Sequence, residues 1–195
     1  MVAVESGREL SEAVRAIALL DESGRQIPLG ELLGERLTVM VFLRHFGCLA
    51  CSEHVAAWKP RLAEFDRIGV RVVFIGIGQP NQIGDFIAKT GLTGEPAEVY
   101  TEPTLTLHTA LGLTNSVLST IGPTAIFNAV RALSHGNLQT SVQGNVLQQG
   151  GLIIVGRNLV VELLHRERTL GDFLAITTVL EKVTAVIDRQ DGDPH

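Results

Sequence analysis

Stretches of uninterrupted apolar residues alternate with amphipathic stretches along this chain. Three apolar stretches, at Leu37–Leu43, Gly69–Gly78 and Leu152–Val155, are short and rich in β-branched residues. Because they hold almost no polar residues, they are typical of strands buried on both faces of a sheet. Two longer stretches carry apolar residues at helical spacing, and each predicts a helix packed on that sheet. Their apolar positions are Val55, Trp58, Leu62, Phe65 and Ile68 in the first helix and Phe173, Ile176, Val179, Leu180, Val183 and Ile187 in the second.

Turn signals between apolar stretches predict two hairpins. Asp21–Gly24 separates a short strand at Ala16–Leu20 from its return strand at Arg25–Ile27. Gly156–Asn158 separates the third buried strand from a strand over Leu159–His165. Both connections consist of polar and glycine residues, which favour tight turns between antiparallel strands.

The middle of the chain predicts shorter elements. A helix over residues 82–90 is stopped by Gly91, a short strand follows at Glu98–Thr101, and a short helix at Thr104–Leu111. The last helix begins at Thr169 or Asp172. Because strands alternate with helices, the sequence predicts the α/β class, with the first two buried strands parallel and the helix between them as the crossover.

The domain organisation follows from where this alternation is interrupted. Residues 1–187 form a single predicted domain, and the polar residues 188–195 are predicted to be a disordered tail. Within the domain, residues 113–149 are rich in Ser, Thr, Asn, Gln and Gly and hold one apolar helical segment before Gly136. This length is unusual for a connection, so the insertion is a lid or interface, or else a surface excursion packed on the core.

Composition limits the classes of function. The chain has 195 residues, of which 45% are hydrophobic and 19% are charged, and its net charge is −5. An acidic chain of this kind does not favour nucleic acid or anionic membranes as partners. The N-terminal residues lack a basic segment followed by an apolar core, and no apolar run reaches membrane-spanning length. We therefore expect a cytoplasmic protein.

Two cysteines carry the candidate chemistry. Cys48 and Cys51 are the only cysteines of the chain, and they lie between the first buried strand and the helix that follows it. The first N–H groups of a helix have no internal partner, so they stabilise a thiolate and lower its pKa. Cys48 gains most from this position, and the spacing suits a disulfide with Cys51. The pattern indicates a thiol redox centre.

Other interpretations of this segment carry less weight. Two structural thiols would more often be scattered along the chain, and zinc requires four ligands, for which no second pair follows. The histidines are dispersed, so no metal is expected. Arg44 and His45 come just before the cysteines and add positive charge to the same site, although Arg44 is also consistent with a solvated charge at the end of a strand.

Two motifs resemble a known family. The segment Phe42-Leu-Arg44-His-Phe-Gly-Cys48-Leu-Ala-Cys51 resembles the signature of the peroxiredoxin-like group of the alkyl hydroperoxide reductase/thiol-specific antioxidant (AhpC/TSA) superfamily, the group that includes the prostamide/prostaglandin F synthases. Gln149-Gly-Gly151 before an apolar strand is similar to a second segment of that group, and the first hairpin resembles the superfamily's N-terminal extension. The resemblance implies a thioredoxin-like fold with a peroxiredoxin-type N-terminal β-hairpin and a helical insertion before the last hairpin.

The resemblance also implies an activity. A Cys48–Cys51 dithiol would reduce a peroxide, an endoperoxide or a disulfide, with no bound cofactor and with an external dithiol reductant of the thioredoxin or glutathione type. Helix position favours Cys48 as the attacking thiolate, whereas alignment with ordinary peroxiredoxins favours Cys51; we lean to Cys48. The oligomeric state is open, with a homodimer among the options. The alternative is a non-catalytic redox sensor that binds a partner and uses the dithiol as a switch.

The same resemblance assigns a substrate pocket and marks two departures. The pocket would be lined by His45, Phe46 and Gly47 on one side and by Gln149, Gly150 and Gly151 on the other. The threonine of ordinary peroxiredoxins is replaced by Cys48, and the cis-proline of thioredoxins is replaced by the diglycine. Since glycine allows a close approach, the diglycine is expected to leave this wall of the pocket open or differently shaped.

Overall fold

A mixed sheet of seven strands organises the part of the chain that the computed structural model describes, residues 4–113, 149–169 and 171–191. Its strands are β1 (Ala18–Leu20), β2 (Gln26–Pro28), β3 (Thr38–Phe42), β4 (Arg71–Gly76), β5 (Glu98–Thr101), β6 (Gly151–Val155) and β7 (Val161–Arg166). They lie in the order β2-β1-β5-β4-β3-β6-β7. The three central strands β3, β4 and β5 are parallel, and the strands on either side pair antiparallel.

Within the residues that the structure describes, five α-helices connect or flank these strands. They are α1 (Glu12–Arg15), α2 (Leu49–Arg67), α3 (Ile83–Thr90), α4 (Thr106–Ala110) and α5 (Ile176–Asp191), and 3₁₀ turns cover Leu29–Leu32 and Pro80–Gln82. Helix α2 connects β3 to β4 and α3 lies between β4 and β5, as parallel neighbours require. No helix in the described residues is long and apolar enough to cross a bilayer.

Alternate residues of the central strands enter two separate cores. On one face, Val39, Val41 and Phe74 pack against α2, α3 and α5. On the other face, Met40 and Ile75 pack against the N-terminal segment and α4. Because both faces of β3 and β4 are covered, these strands are apolar at almost every position, and this is the origin of the runs in the sequence.

The register of the sheet brings three chain segments to one edge. Phe42 at the end of β3 lies opposite Gly151 at the start of β6, and Gly151 in turn lies opposite Arg166 at the end of β7. The residues that follow β3, precede β6 and follow β7 therefore meet at the same edge. This juxtaposition builds the site described below.

Most predicted elements are confirmed. The α/β class, both hairpins and the parallel pairing of the first two buried strands are all present. Helix α3 ends at Gly91, which adopts a left-handed conformation with φ of 73°. Glycine reaches this conformation without the steric cost of a Cβ, so it terminates the helix as predicted.

The start of the last helix was predicted wrongly. Helix α5 begins at Ile176, later than Thr169 or Asp172, and it continues to Asp191 beyond the expected domain end at residue 187. The Asp172 carboxylate accepts the N–H of Arg168 at 3.0 Å, and the N–H of Asp172 is donated to the Thr169 carbonyl at 3.2 Å. Asp172 thus closes a turn and does not cap a helix. Residues 188–191 are helical, and residues 192–195 of the predicted tail lie outside the described residues.

The predicted insertion over residues 113–149 lies almost entirely outside the described residues. Only Leu113 and Gln149, at its two ends, are described, and both are buried. The proposed lid or interface, and the helical segment within it, therefore remain predictions.

Core packing under α2 predicts a contrast between two leucines of the same helix. Leu62 has no exposed surface, whereas Leu49 is 66% exposed. We expect Leu62→Ala to lower the free energy of unfolding by about 2–5 kcal/mol, because it removes buried methyl groups and leaves a cavity. Leu49→Ala is the matched control and should change it by less than about 0.5 kcal/mol. Urea unfolding measures both, and equal losses would contradict this account of the core.

Candidate active site

The cysteines lie where β3 leaves the sheet and α2 begins. Strand β3 ends at Phe42, six residues follow in the turn, and Leu49 is the first residue of α2. Cys48 occupies the position just before the helix, with extended backbone angles of φ −75° and ψ 120°. Its carbonyl oxygen accepts the N–H of Ser52 at 3.0 Å, the first hydrogen bond of the helix. Cys48 is therefore the N-cap of α2.

The sulfur of Cys48 accepts a hydrogen bond that side-chain oxygens usually accept at this position. The backbone N–H of Cys51 donates to Cys48 Sγ over 3.4 Å. The N–H of Cys48 itself is donated to the carbonyl of His45 at 3.1 Å, which fixes the turn. The Cys48 sulfur is thus held against the positive end of the helix.

This position lowers the pKa of the Cys48 thiol to about 5. The largest cause is the hydrogen bond from the Cys51 thiol, and the Cys51 backbone N–H adds to it. The charges of His45 and Arg44 lower the pKa further, while partial burial opposes them. Cys48 is therefore a thiolate at neutral pH, and its side chain is only half-buried.

Cys51 has the opposite properties. Its side chain is buried, with 3% exposure. Its hydrogen bond to Cys48 and its burial raise the pKa of its thiol well above the ordinary value, although backbone N–H groups of Arg44 and His45 act in the other direction. Both cysteines are free. The pair therefore consists of one accessible thiolate and one buried thiol that donates to it.

Arg44 and His45 lie in the turn that leads to Cys48. Arg44 is half-buried, and its Nε is a buried donor without a hydrogen-bond partner in the described part of the chain. An unpartnered buried donor is costly, and a bound anionic or oxygen ligand would satisfy it. His45 is half-buried, and burial lowers its pKa, with the Cys48 charge opposing and the Arg44 charge adding to this shift.

Phe46 and Gly47 lie on the side of the turn that faces α3. The Phe46 ring is buried over Gly76 and Gly78, where any side chain would collide with it, and its centroid is 4.9 Å from that of Phe86. Phe46 is therefore chiefly a packing residue that anchors the turn. A small cleft remains between turn and helix, lined by Phe46, Gly47, Gln82, Asp85, Phe86 and Lys89.

The predicted diglycine wall is present but is not open. Gln149, Gly150 and Gly151 are all buried. A Cβ on Gly150 would lie 2.5 Å from Oε1 of Glu167, and a Cβ on Gly151 would lie 2.7 Å from both the His165 carbonyl oxygen and a methyl group of Leu113. Of the two expectations for this wall, the open one does not hold, because neighbouring groups already fill the space at these glycines; a differently shaped wall remains a prediction.

Glu167 is the site residue that the sequence analysis missed. It follows β7 directly, is only 5% exposed, and donates its N–H to the Gly150 carbonyl at 3.2 Å. Burial raises the pKa of its carboxyl group to about 7, with Asp172 and Cys48 adding to the shift and Arg44 opposing it. A single glutamate after a strand gives no sequence signal of burial, since most glutamates are exposed.

A stacked aromatic pair holds the segment after β7 against α2. The His54 ring stacks on Phe173 with centroids 3.7 Å apart, and His54 Nε2 accepts the Trp58 indole N–H at 3.1 Å. Burial lowers the pKa of His54 to about 4, so the ring stays neutral and this hydrogen bond persists at neutral pH. The stack thereby ties the segment that contains Asp172 and Phe173 to α2. The described residues contain no group of three or more His, Cys, Asp or Glu that could hold a metal ion.

Comparisons with known proteins show the family of this chain. The family model described as "AhpC/TSA antioxidant enzyme" matches residues 59–169. Human peroxiredoxin-like 2C is 31% identical over 192 residues, covering 92% of this chain and 82% of the relative. This chain belongs to the AhpC/TSA family. A prostamide/prostaglandin F synthase from Xenopus tropicalis is 27% identical, covering 82% of this chain and 80% of the relative.

Solved structures show the same fold for this AhpC/TSA protein. A mutant of PrxQ from Xylella fastidiosa superposes with a TM-score of 0.67 at 15% identity, covering 96% of this chain and 99% of the other. Reduced Prx3 from Vibrio vulnificus, solved in complex with H₂O₂, gives a TM-score of 0.65 at 14% identity, covering 92% and 99%. The predicted thioredoxin-like, peroxiredoxin-type fold is thereby confirmed. The family and the dithiol together make the protein a thiol-dependent oxidoreductase.

The contrast between the two thiols predicts selective labelling. At pH 7 iodoacetamide should alkylate Cys48 in the native protein and leave Cys51 unmodified, because only Cys48 is both exposed and deprotonated. The labelling rate should fall as pH is lowered through about 5, where the Cys48 thiolate is protonated. Peptide mass mapping over a pH series measures this. A midpoint near the ordinary thiol pKa, or preferred labelling of Cys51, would contradict the assignment.

Proposed function

We propose that this AhpC/TSA protein is a thiol peroxidase in which Cys48 attacks a hydroperoxide and Cys51 resolves the product. The observation that supports this most directly is the cap of α2, where a half-exposed sulfur of lowered pKa accepts a hydrogen bond from the buried Cys51 thiol. A nucleophile needs the thiolate form and access to substrate, and Cys48 has both.

In the first step the Cys48 thiolate attacks the terminal oxygen of the hydroperoxide. A sulfur–oxygen bond forms and the oxygen–oxygen bond breaks, so sulfur is oxidised by two electrons and the peroxide is reduced by two. The products are a sulfenic acid on Cys48 and an alkoxide, which becomes the alcohol when it takes up a proton.

In the second step the Cys51 sulfur attacks the Cys48 sulfenic acid. The Cys48–Cys51 disulfide forms and the hydroxyl group leaves as water, using the Cys51 thiol proton. Cys51 is three residues away in the first turn of the same helix, so little rearrangement is needed. An external dithiol of the thioredoxin type, or two monothiols of the glutathione type, would then return two electrons and restore both thiols.

Arg44 is the group best placed to stabilise charge in the first step. Its charge acts on Cys48, and its buried Nε–H is unpartnered in the described residues. A guanidinium that stays protonated can donate to the peroxide oxygens as negative charge develops on them. Arg44 thus takes the role that the missing threonine hydroxyl has in ordinary peroxiredoxins.

A second substrate class comes from the relatives. Prostamide/prostaglandin F synthases from Xenopus tropicalis and Pongo abelii are 27% and 28% identical to this chain. An endoperoxide holds the same weak oxygen–oxygen bond, so the same thiolate attack would open it. Comparing an organic hydroperoxide with a cyclic endoperoxide in one assay, with dithiothreitol as the donor, decides between these classes.

Brief peroxide treatment followed by intact mass spectrometry tests the proposal. The wild-type protein should lose two hydrogens as the intramolecular disulfide forms, Cys51→Ser should gain one oxygen at Cys48, and Cys48→Ser should not react. Dithiothreitol should also be consumed catalytically in the presence of hydroperoxide. Oxidation without turnover would favour a redox sensor, and an oxygen adduct on Cys51 in Cys48→Ser would reverse the two roles.

The role of Arg44 predicts a selective loss of peroxidase rate. Arg44→Met should slow the reaction with hydroperoxide by about 100–1,000-fold, the usual effect of removing a donor to a developing oxyanion. Alkylation of Cys48 by iodoacetamide should fall much less, because iodide leaves without such a donor. Arg8→Met is the matched control, since Arg8 is an exposed residue paired with Glu5. Stopped-flow rates measure both reactions, and an equal loss in both would reduce Arg44 to a structural charge.

A further inference from the structure

Glu167 reaches the dithiol site from two strands away. The strands β3, β6 and β7 are neighbours, and Phe42, Gly151 and Arg166 lie side by side across them. Arg44 is two residues beyond the end of β3, and Glu167 is one residue beyond the end of β7. Their backbones are therefore separated by the width of β6, about 10 Å from two strand spacings.

Gly150 allows the carboxyl group to cross this distance. All three atoms of the Glu167 carboxyl group lie within 2.8 Å of the position where a Cβ of residue 150 would be. The group therefore lies over the backbone of the middle strand, in space that only glycine leaves free. From there it lies within electrostatic range of Arg44 and Cys48.

The charged groups around Glu167 come from three segments. Arg44 and Cys48 belong to the turn between β3 and α2, and Asp172 belongs to the turn before α5. Burial, Asp172 and the Cys48 thiolate all favour the neutral carboxylic acid, and only Arg44 favours the carboxylate. A buried acid that lies over Gly150 at this edge of the sheet, within electrostatic range of the Cys48 thiolate, thus has a pKa that lets it give up its proton near neutral pH.

The peroxide reaction needs such an acid. The alkoxide that leaves in the first step is a strong base, and Cys48 is itself deprotonated. Burial lowers the pKa of His45, Arg44 does not release its proton, and the pKa of the Cys51 thiol is strongly raised. Among these described groups, Glu167 is the one that holds its proton in a substantial fraction of molecules at neutral pH and can still lose it readily.

We propose that Glu167 is the proton donor to the departing oxygen when Cys48 attacks a hydroperoxide. The thiolate electron pair forms the sulfur–oxygen bond, the oxygen–oxygen bond breaks, and the Glu167 proton passes to the alkoxide to give the alcohol. Solvent then returns a proton to the carboxylate. This inference rests on the proposed peroxidase function.

Glu167→Gln tests the proton-donor role of Glu167, because glutamine keeps the shape of the side chain but has no acidic proton to give. The variant should react about 100-fold more slowly with tert-butyl hydroperoxide, a usual loss for a missing general acid. Its reaction with peracetic acid should be unchanged, since acetate leaves as a stable anion, and so should alkylation of Cys48 by iodoacetamide. Glu162→Gln is the matched control, because Glu162 lies on the same strand and pairs with the surface residue Arg189.

The pH profile gives a second readout. In the wild-type protein the hydroperoxide rate should rise as Cys48 ionises at about 5 and fall as Glu167 ionises at about 7. The fall should be absent in Glu167→Gln and absent for peracetic acid. No slowing, or equal slowing with both oxidants, would overturn the role of Glu167 while leaving the peroxidase function intact. A wild-type protein inert to hydroperoxide would overturn both.

Discussion

The hydrogen bond from the Cys51 N–H to the Cys48 sulfur is the interaction on which the site depends. It makes a cysteine the N-cap of α2, so the residue that starts the helix is also the reactive group. The cap is held in place because β3 is buried on both faces before the turn and Phe46 is packed over Gly76, the last residue of β4, and over Gly78. The sulfur therefore has one fixed position relative to the helix dipole, which keeps its negative charge stabilised.

Much of the fold and half of the site are local properties of the sequence. Residues 37–67 hold a strand, a turn and an amphipathic helix in succession, so their placement of Cys48, Cys51 and Arg44 is readable from spacing alone. The end of α3 at Gly91 and both hairpins likewise depend on residues that are adjacent in the sequence. Local conformational preferences and burial act in the same direction there, and such elements are the ones that sequence patterns predict well.

The other half of the site depends on contacts between distant residues. Glu167 decides whether the space at Gly150 is open or filled. The hydrogen bonds of Asp172 to Arg168 and Thr169 decide whether it caps a helix or closes a turn. No periodicity encodes these choices, because each involves a single side chain. The same holds for Phe173, which fits the apolar spacing of α5 but stacks on His54 ahead of that helix.

The capping role of Cys48 also affects the relative stability of the reduced and oxidised forms of the cysteine pair. In the reduced protein a negative sulfur interacts favourably with the start of α2, and disulfide formation removes that charge. The reduced state is therefore stabilised relative to the oxidised state, and the reduction potential of the pair is raised accordingly. In the proposed cycle a disulfide of this kind would accept electrons readily from an external thiol, so the cap that stabilises the thiolate would also favour its regeneration.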